Sequence, residues 1–524
     1  MRASGNSSSQ GQLECPKSSI LVYRGYRKST LADSREKREF TPMPYAILIL
    51  LALFAPSSLY SAGERKPNIV LIYVDDLGYG DLGCYGSDEN DTPHVDQLAV
   101  DGMRFTDYYS ASPVCTPSRA ALLTGGYPGR VGFDAFKESR TSWVLFPGFA
   151  EGLHPNELLL PEYLKWQGYA TSHVGKWHLG DQVEHLPTRH GFDSYYGIPY
   201  SNDMAIMPRR PKSPPLPLLR NEEVIAEQPK QAPLIQSYTE EAVTFIRENK
   251  ENPFFLYFAH MHVHLPHYVM DPFLQASRNG IYGAAVAAVD WSTGVIVAEL
   301  KRLGLEDNTI VIFTSDNGSR VDQHGGSNGT LRGTKGQTWE GGMRVPCIVK
   351  WPGQVEAGSV SKELVTAMDF YPTIAAILGQ PLGDDPIRDG HDVSPIWRGE
   401  PGAQNPYDAF FYYLVDQLQA VRVGDWKLRF ATAEGRDVDT SKPELFNLSK
   451  DLSEQNNVAA QHPDIVKDLK KRMEDMGDRI GDGLRNKLGS ERRPHAIEGN
   501  PHPLTEFDSD YPYIEPSYLL DQAG

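Results

Sequence analysis

The sequence contains very little cysteine, with only Cys15, Cys84, Cys115 and Cys347 in a chain of 524 residues. Four widely spaced cysteines are too few for a disulfide-stabilised scaffold, and no Cys-x-x-Cys pair suggests a zinc site. A Cys84–Cys347 disulfide and two unpaired buried thiols both remain open, the second being the simpler interpretation. We therefore expect the fold to depend on a hydrophobic core rather than on cross-links.

Positive charge is also scarce. The chain has 51 Lys and Arg against 68 Asp and Glu, which gives a formal net charge of −17 at pH 7. This balance argues against nucleic acid or another polyanion as a partner bound by bulk electrostatic attraction. An anionic substrate would have to be attracted by a local cluster of cations or by a bound metal ion.

The apolar segment near the N-terminus, Ala46 to Ala55, is about half as long as a membrane-spanning helix. It follows Met43 and precedes small residues at 61–63, which is the arrangement of a signal peptide with its cleavage site. Residues 1–42 are polar and show no periodicity. We expect a disordered or mis-started leader at 1–42 and a signal peptide at 43–63. The mature protein would be exported, periplasmic or secreted, with no stable membrane span.

Four short apolar runs, each followed by polar residues, indicate strands buried on both faces of a sheet. The runs span 69–74, 169–174, 254–259 and 309–314. Helical patterns lie between the runs, so strands and helices alternate along the chain. The sequence therefore predicts an α/β fold with a large, mostly parallel central sheet flanked by helices.

The pattern changes near residue 400, where short strands of hairpin type begin. Residues 463–476 then show the periodicity of an amphipathic helix. We predict a catalytic domain at 64–400 and a small C-terminal α+β subdomain with an antiparallel sheet at 401–490. Residues 491–524 lack periodicity and are expected to form an extended tail.

Carboxylates follow two of the predicted strands. Asp75 and Asp76 come after the first run, and Asp316 and Asn317 come after the fourth. The carboxyl ends of parallel strands meet at one edge of a sheet, and the same edge would receive Lys176, His178 and His264. Three carboxylates repel one another unless a cation neutralises them, and oxygen ligands suit Ca²⁺ or Mg²⁺. Either pair alone is also a common turn sequence, but two pairs at one edge favour a metal site.

The stretch PVCTPSRAALLTGG, residues 113–126, predicts a helix that begins just after Cys115 and ends at the two glycines. Arg119 lies four residues after Cys115, on the same side of the helix. A helix N-terminus favours an anion and lowers the pKa of a thiol. Taken alone, the stretch still fits an inert buried cysteine better than a reactive one.

The sequence Cys-Thr-Pro-Ser-Arg followed by Ala-Ala-Leu-Leu-Thr-Gly resembles the signature of the type I sulfatases, a formylglycine-dependent family with an alkaline phosphatase-like fold. Further blocks resemble the family in its order: NIVLIYVDDLGYGDLGCYG, GKWHLG, HGFDSYYGIPYSND, HVHLPH, TSDNG, GTKGQTWEGGMRVP and, near the C-terminus, ELFNLSKDLSEQNN. The similarity extends from about residue 68 to about residue 476. Within the family, the arylsulfatase and N-acetylgalactosamine-sulfatase branch is the most similar.

The resemblance implies that a formylglycine-generating or equivalent enzyme converts Cys115 to 3-oxoalanine, known as formylglycine. Its hydrate, a gem-diol, would attack the sulfur of a bound sulfate ester. One Ca²⁺ ion would be held by the modified residue 115 together with four oxygen ligands, namely Asp75, Asp76, Asp316 and Asn317.

The resemblance also implies roles for five further residues. Arg119 would stabilise the diol, while Lys176 and Lys335 would hold the sulfate oxygens. His264 would protonate the leaving alcohol or phenol oxygen, and His178 would take the proton of the second diol hydroxyl to expel sulfate. Without the resemblance, Lys176 and Lys335 would be assigned to the surface, as most lysines are.

The function implied is hydrolysis of an aryl or carbohydrate sulfate ester in a sulfated small molecule or glycan. Three alternatives remain: a phosphoester hydrolase of the same superfamily, a catalytically inactive glycan-binding homologue, and a hydrolase that uses the thiol of Cys115 itself. Substrate specificity is expected in the loops at 133–152 and 203–233.

Overall fold

The computed structural model describes residues 65–134, 143–321, 325–383, 386–432, 438–510, 514 and 518–520. The predicted leader, the signal peptide and Cys15 lie outside these residues. The described α-helices are α1 (Pro93–Val100), α2 (Cys115–Thr124), α3 (Leu160–Trp166), α4 (Leu234–Glu248), α5 (Asp271–Ala276), α6 (Gly280–Arg302), α7 (Glu340–Met343), α8 (Phe370–Ile377), α9 (Ser394–Trp397) and α10 (Pro463–Arg479).

Twenty strands are present in the same residues. They are β1 (Asn68–Val74), β2 (Met103–Phe105), β3 (Tyr108–Tyr109), β4 (Glu151–Gly152), β5 (Ala170–Gly175), β6 (Ser194–Gly197), β7 (Pro217–Arg220), β8 (Glu223–Glu227), β9 (Phe254–Ala259), β10 (Thr309–Ser315), β11 (Cys347–Lys350), β12 (Ser359–Ser361), β13 (Val365–Thr366), β14 (Phe410–Leu414), β15 (Gln417–Val423), β16 (Trp426–Thr432), β17 (Val438–Asn447), β18 (Gly481–Asp482), β19 (Lys487–Leu488) and β20 (Ala496–Ile497).

Ten of these strands form the central sheet, in the order β12-β2-β11-β10-β1-β9-β5-β6-β7-β8. The five middle strands, β10-β1-β9-β5-β6, are parallel to one another, and they include all four strands predicted from apolar runs. Antiparallel pairs occur on both sides of this centre. The predicted α/β architecture is therefore confirmed, with antiparallel strands added towards each edge.

The central strands are buried because helices cover both faces of the sheet, and β1 and β9 consist almost entirely of apolar residues. On β1, Ile69, Leu71 and Tyr73 pack into a core with residues of α2, α3 and α8. The alternate residues of β1 pack on the opposite face against α1, α4 and α6. Helix α6 has the length and hydropathy of a membrane span, but 61% of its most apolar window is buried inside the fold.

The predicted antiparallel sheet of the C-terminal part is also confirmed. Its four strands follow the order β14-β15-β16-β17, and α10 packs against β15 and β16. The residues after α10 extend over the larger sheet domain, where β20 pairs with β4. The backbone N–H of Arg493 donates to the carbonyl oxygen of Arg130 at 2.6 Å, which attaches this segment close to α2.

Candidate functional site

The two predicted carboxylate pairs meet at the carboxyl edge of the parallel strands. Val74 of β1 lies beside Ser315 of β10 in register, so the residues that follow are neighbours. The backbone N–H of Asp76 donates to Asp316 Oδ1 at 3.1 Å, and Asn317 Nδ2 donates to Asp76 Oδ1 at 2.7 Å. These side chains are buried, and together they form one acidic cluster, as predicted.

Three cations lie against the three carboxylates, of which Arg119 and Lys176 are fully buried and Lys335 is partly buried. The Arg119 guanidinium lies 2.8 Å from Asp316 Oδ2. The Lys176 ammonium lies 2.5 Å from Asp75 Oδ2, and the Lys335 ammonium lies 2.8 Å from Asp76 Oδ2. Arg119 also donates to the backbone carbonyl of Lys176 at 2.9 Å, which joins α2 to the end of β5. Both lysines therefore belong to the site rather than to the exposed surface.

Burial and neighbouring charge act differently on the carboxylates. Burial alone would raise the pKa of Asp75, but the positive side chains around it, Lys176 first, hold that pKa well below its usual value. Burial and the negative charge of Asp75 raise the pKa of Asp316 to about 7, against the opposing effect of Arg119. The three protein cations thus keep the pKa of Asp75 low, but they do not offset the effect of burial and of Asp75 on the pKa of Asp316.

Helix α2 begins at Cys115, one residue earlier than predicted, and ends before Gly125, whose φ of 73° is the left-handed conformation of a helix C-cap. Cys115 is 2% exposed. Its Sγ and a carboxylate oxygen each of Asp75 and Asp316 all lie within 4.8 Å of one another. Burial raises the pKa of the Cys115 thiol even though Lys176 and Lys335 oppose the shift. The prediction of a lowered thiol pKa is therefore wrong, since desolvation outweighs the helix N-terminus and the lysines.

The two predicted histidines flank this cluster. His178 is buried, and burial together with Lys176 lowers its pKa well below the usual value. Its Nε2 hydrogen-bonds the Leu145 carbonyl oxygen at 3.0 Å, while Nδ1 has no partner in the described part of the chain. His264 Nδ1 lies 2.6 Å from the Leu265 carbonyl oxygen, which directs Nε2 towards Asp76 Oδ2 at 3.9 Å.

Backbone strain occurs at two of these positions. Asp76 has φ of 63° and His178 has φ of 62°, the left-handed region that non-glycine residues rarely adopt. Such strain costs about 1–3 kcal/mol and persists where the surrounding structure holds it in place. In both cases it lies at the sheet edge, two or three residues beyond the end of a central strand.

The acidic cluster has oxygen atoms available for a cation. Asp75 Oδ1 and Asn317 Oδ1 are buried and have no hydrogen-bond partner among the described residues. Buried oxygens are nearly always hydrogen-bonded or bound to an ion. A ligand set of carboxylate and amide oxygens without thiolate suits Ca²⁺ or Mg²⁺, so the residues present fit the predicted ion.

A cavity of about 280 Å³ opens beside Cys115, and its wall also includes His264 and Lys335. The predicted specificity loops contribute Trp143, Val144, Phe146, Asp203, Met204 and Arg210 to the wall. The sequence placed these loops near the site but gave no signal that singled out individual residues in them. A substrate that reaches Cys115 from this cavity therefore contacts both loops.

The C-terminal part of the chain holds the segment that carries Lys335, a link that sequence reasoning missed. Trp339 lies between the guanidinium groups of Arg332 and Arg429, each 3.7 Å from the ring centroid. Lys427 of β16 is fully buried and pairs with Glu340 at 2.9 Å and with Glu454 at 2.8 Å. Arginine stacking and buried ion pairs thus fix both sides of the Lys335 segment.

We predict that Lys427→Met destabilises the folded protein by about 3–5 kcal/mol, because it removes the buried cation shared by the Glu340 and Glu454 carboxylates. Thermal and urea unfolding of the two proteins would measure the loss. Lys471→Met is the matched control, since its ion pair with Asp475 lies on the surface of α10 and should change stability by no more than about 0.5 kcal/mol. Equal stability of the two variants would contradict the assigned link.

Comparison with known proteins agrees with this geometry. The Sulfatase family model matches residues 67–380, and the model for the C-terminal region of aryl-sulfatase matches residues 405–495. The chain is 38% identical to arylsulfatase A of Homo sapiens, over 80% of this chain and 89% of that protein. It is 39% identical to N-acetylgalactosamine-6-sulfatase of Canis lupus familiaris, over 73% of this chain and 75% of that protein.

Solved structures give the same result. A sulfatase from Pseudoalteromonas sp. has a TM-score of 0.69 at 29% identity, covering 79% of this chain and 90% of that chain. Ps i-CgsB in complex with k-i-k-neocarrahexaose has a TM-score of 0.68 at 30% identity, covering 85% and 96%. A phosphonate monoester hydrolase of Agrobacterium radiobacter, at 19% identity and a TM-score of 0.54, shares the fold alone. The family match covers most of the chain, and the site residues of the resemblance lie together at one sheet edge: the chain belongs to the sulfatase family and is an enzyme, a sulfatase.

Proposed function

We propose that this sulfatase cleaves aryl or carbohydrate sulfate esters with a formylglycine made from Cys115 and a Ca²⁺ ion bound beside it. The observation that carries the proposal is the position of Cys115. It lies at the start of α2, next to Asp75 and Asp316, and faces a cavity that also exposes Lys335 and His264. One residue thus joins a cation-binding cluster to a space for substrate.

The metal ligands in this proposal are Asp75, Asp76, Asp316 and Asn317, together with the modified residue 115. When bound, the ion supplies positive charge that neutralises the carboxylates and polarises the formylglycine hydrate. Three protein carboxylates already face three protein cations, so a divalent ion leaves the site with net positive charge. That charge attracts a sulfate ester despite the −17 formal charge of the whole chain.

The raised pKa of Cys115 supports modification rather than thiol catalysis. A buried thiol with a raised pKa has little thiolate at neutral pH and is a poor nucleophile. Formylglycine would supply instead, as its hydrate, two hydroxyl groups on one carbon: one as the nucleophile and the other for release of sulfate. A serine in the same place would form a sulfate ester with no comparable route of release.

The lysines and histidines near the acidic cluster support this reaction. Lys176 and Lys335, which pair with Asp75 and Asp76, would hold the sulfate oxygens. His264 faces the cavity through Nε2 and would protonate the leaving oxygen. His178, neutral and with Nδ1 unpartnered, would accept the proton of the second hydroxyl. Arg119 fixes Asp316 and the end of β5 and stabilises the diol.

Lys335→Ala should lower kcat/KM for a sulfate ester by about 10²–10³-fold, the scale on which losing one preorganised oxyanion partner acts. Steady-state kinetics with 4-nitrophenyl sulfate would measure the change. Lys250→Ala, an exposed lysine outside the cavity and both loops, should alter kcat/KM by no more than about two-fold. If the two variants behave alike, Lys335 does not contact the sulfate.

Parallel assays of sulfate and phosphate esters test the reaction class. We expect higher kcat/KM for the sulfate ester of each matched pair. Higher efficiency on the phosphate would favour the phosphoester-hydrolase alternative, and no turnover by protein with a modified Cys115 would favour the glycan-binding alternative.

The proposal includes export of the mature enzyme to the periplasm or the medium and modification by a formylglycine-generating or equivalent enzyme. It also keeps the division into a catalytic domain at 64–400, a subdomain at 401–490 and a tail at 491–524. Fractionation of the native host, with N-terminal sequencing of the mature chain, would test the location and the signal-peptide cleavage near residue 63.

A further inference from the structure

Asp203 brings a buried carboxylate with an unused oxygen into the wall of the substrate cavity. The residue is 5% exposed, and its Oδ1 has no hydrogen-bond partner in the described part of the chain. Its Oδ2 lies 3.9 Å from Arg210 Nη2, too far for a hydrogen bond. A buried carboxylate oxygen without a partner is costly, so this one is expected to gain a donor from a molecule in the cavity.

Arg210 lies in the same wall and has donors to spare. Its guanidinium lies 5.1 Å from the centroid of the Phe146 ring and is 29% exposed. Among the described residues, this guanidinium has no hydrogen-bond acceptor, and Asp203 at 3.9 Å is its nearest carboxylate. The aromatic contact fixes the plane of the group while its N–H edges stay available to a ligand.

From its position, Asp203 would contact the alcohol part of the substrate rather than the sulfate. Its neighbour Asn202 places Oδ1 3.2 Å from His264 Nδ1, so the same short turn helps to orient the proposed proton donor. His264 would act on the oxygen that joins sulfate to the alcohol. Asp203 and His264 line the same cavity, so Asp203 can contact the part of the substrate that carries that oxygen, with Trp143 and Phe146 forming other parts of the wall.

We propose that Asp203 and Arg210 select a sugar as the alcohol part of the substrate. Asp203 Oδ1 accepts a hydrogen bond from a hydroxyl group next to the sulfated position, and Arg210 donates to another oxygen of the same sugar. A simple aryl sulfate offers neither group, so the pair makes the enzyme a carbohydrate sulfatase in preference to an aryl sulfatase. This inference rests on the proposed function of the site.

The test compares substrates within each protein. The probes are 4-nitrophenyl sulfate, a panel of galactose, glucose and N-acetylhexosamine monosulfates, and the analogue of the best sugar substrate that lacks the hydroxyl next to its sulfate. Asp203→Ala should lower kcat/KM for the sugar by about 10- to 100-fold, the range for a hydrogen bond to a charged group. The ratio of sugar to aryl kcat/KM should fall by a similar factor, and Arg210→Gln should move the ratio in the same direction.

The deoxy analogue shows whether the contact is direct. For the enzyme without substitutions, kcat/KM should be lower for the deoxy analogue than for the full sugar, by about the factor that Asp203→Ala costs on the full sugar. For the Asp203→Ala variant, kcat/KM should be nearly the same for the analogue and the full sugar. Glu248→Gln, an exposed carboxylate at the end of α4 and outside the cavity wall, is the control and should leave the sugar-to-aryl ratio unchanged.

Equal losses on sugar and aryl substrates would overturn the inference, since a structural role or a water partner for Asp203 affects both alike. Turnover of the aryl sulfate with none of the sugars would overturn it as well. Failure of the proposed function gives a different result. In that case the enzyme without substitutions, carrying formylglycine at residue 115, releases sulfate from none of the esters.

Discussion

Cys115→Ser should remove nearly all sulfate ester hydrolysis when the protein is made in a host that modifies only cysteine. No aldehyde forms from serine in that host, so the site retains its cations and its cavity but has no geminal hydroxyl. We expect kcat/KM to fall by about 10⁴-fold or more, the scale on which loss of a covalent nucleophile acts in hydrolases. Steady-state kinetics with the best substrate would measure it.

Cys84→Ser is the matched control for this substitution. Cys84 is also a free thiol, half-buried and placed away from the cavity residues. The Cys84→Ser variant should retain kcat/KM within about two-fold, as most substitutions outside an active site do. Near-normal turnover of Cys115→Ser would contradict the mechanism, whereas loss in both variants would indicate a general effect of removing a thiol.

Asp316→Ala should abolish metal binding and activity together. It removes a proposed calcium ligand and also leaves the fully buried Arg119 without the carboxylate that lies 2.8 Å away. Activity should fall by at least about 10³-fold, since both the metal and the position of Arg119 are lost. Elemental analysis after dialysis would show about one Ca²⁺ per chain in the protein without substitutions and almost none in Asp316→Ala.

Folding of this variant is checked by a second measurement. Ca²⁺ should raise the midpoint of thermal unfolding of the protein without substitutions, because the ion binds the folded state. It should not raise the midpoint of Asp316→Ala. Asp316→Asn keeps the shape of the side chain and separates loss of charge from loss of packing. Full activity of the unmodified sequence after chelation, or normal metal content in Asp316→Ala, would count against the calcium site.

The sequence predicted the centre of the fold because parallel strands buried on both faces of a sheet consist mostly of apolar residues. The runs ending at Val74 and Thr314 placed Asp75 and Asp316 at one edge, and β1 and β10 are indeed neighbours. The edge strands were missed, although Glu223–Glu227 shows alternating exposure that matches the two-residue period of a half-buried strand. A short run of this kind carries too little signal by itself.

The chemistry of single residues was harder to predict than their position. The helix N-terminus suggested a lowered pKa for Cys115, but complete burial raises it. Lys427 pairs with Glu340, 87 positions away in the chain, and with Glu454, 27 positions away. No local sequence pattern predicts these ion pairs. The unpartnered oxygen of Asp203 depends on what the surrounding loops leave unsatisfied, which only three-dimensional contacts reveal.

The most direct test of the central claim is the mass of the tryptic peptide FTDYYSASPVCTPSR, residues 105–119, from protein made in its native host. The account predicts a peptide in which the sulfur of Cys115 is replaced by oxygen and two hydrogens are lost. That peptide should react with a hydrazine and resist alkylation by iodoacetamide. An unmodified, alkylatable thiol in a preparation that hydrolyses sulfate esters at full rate would contradict it.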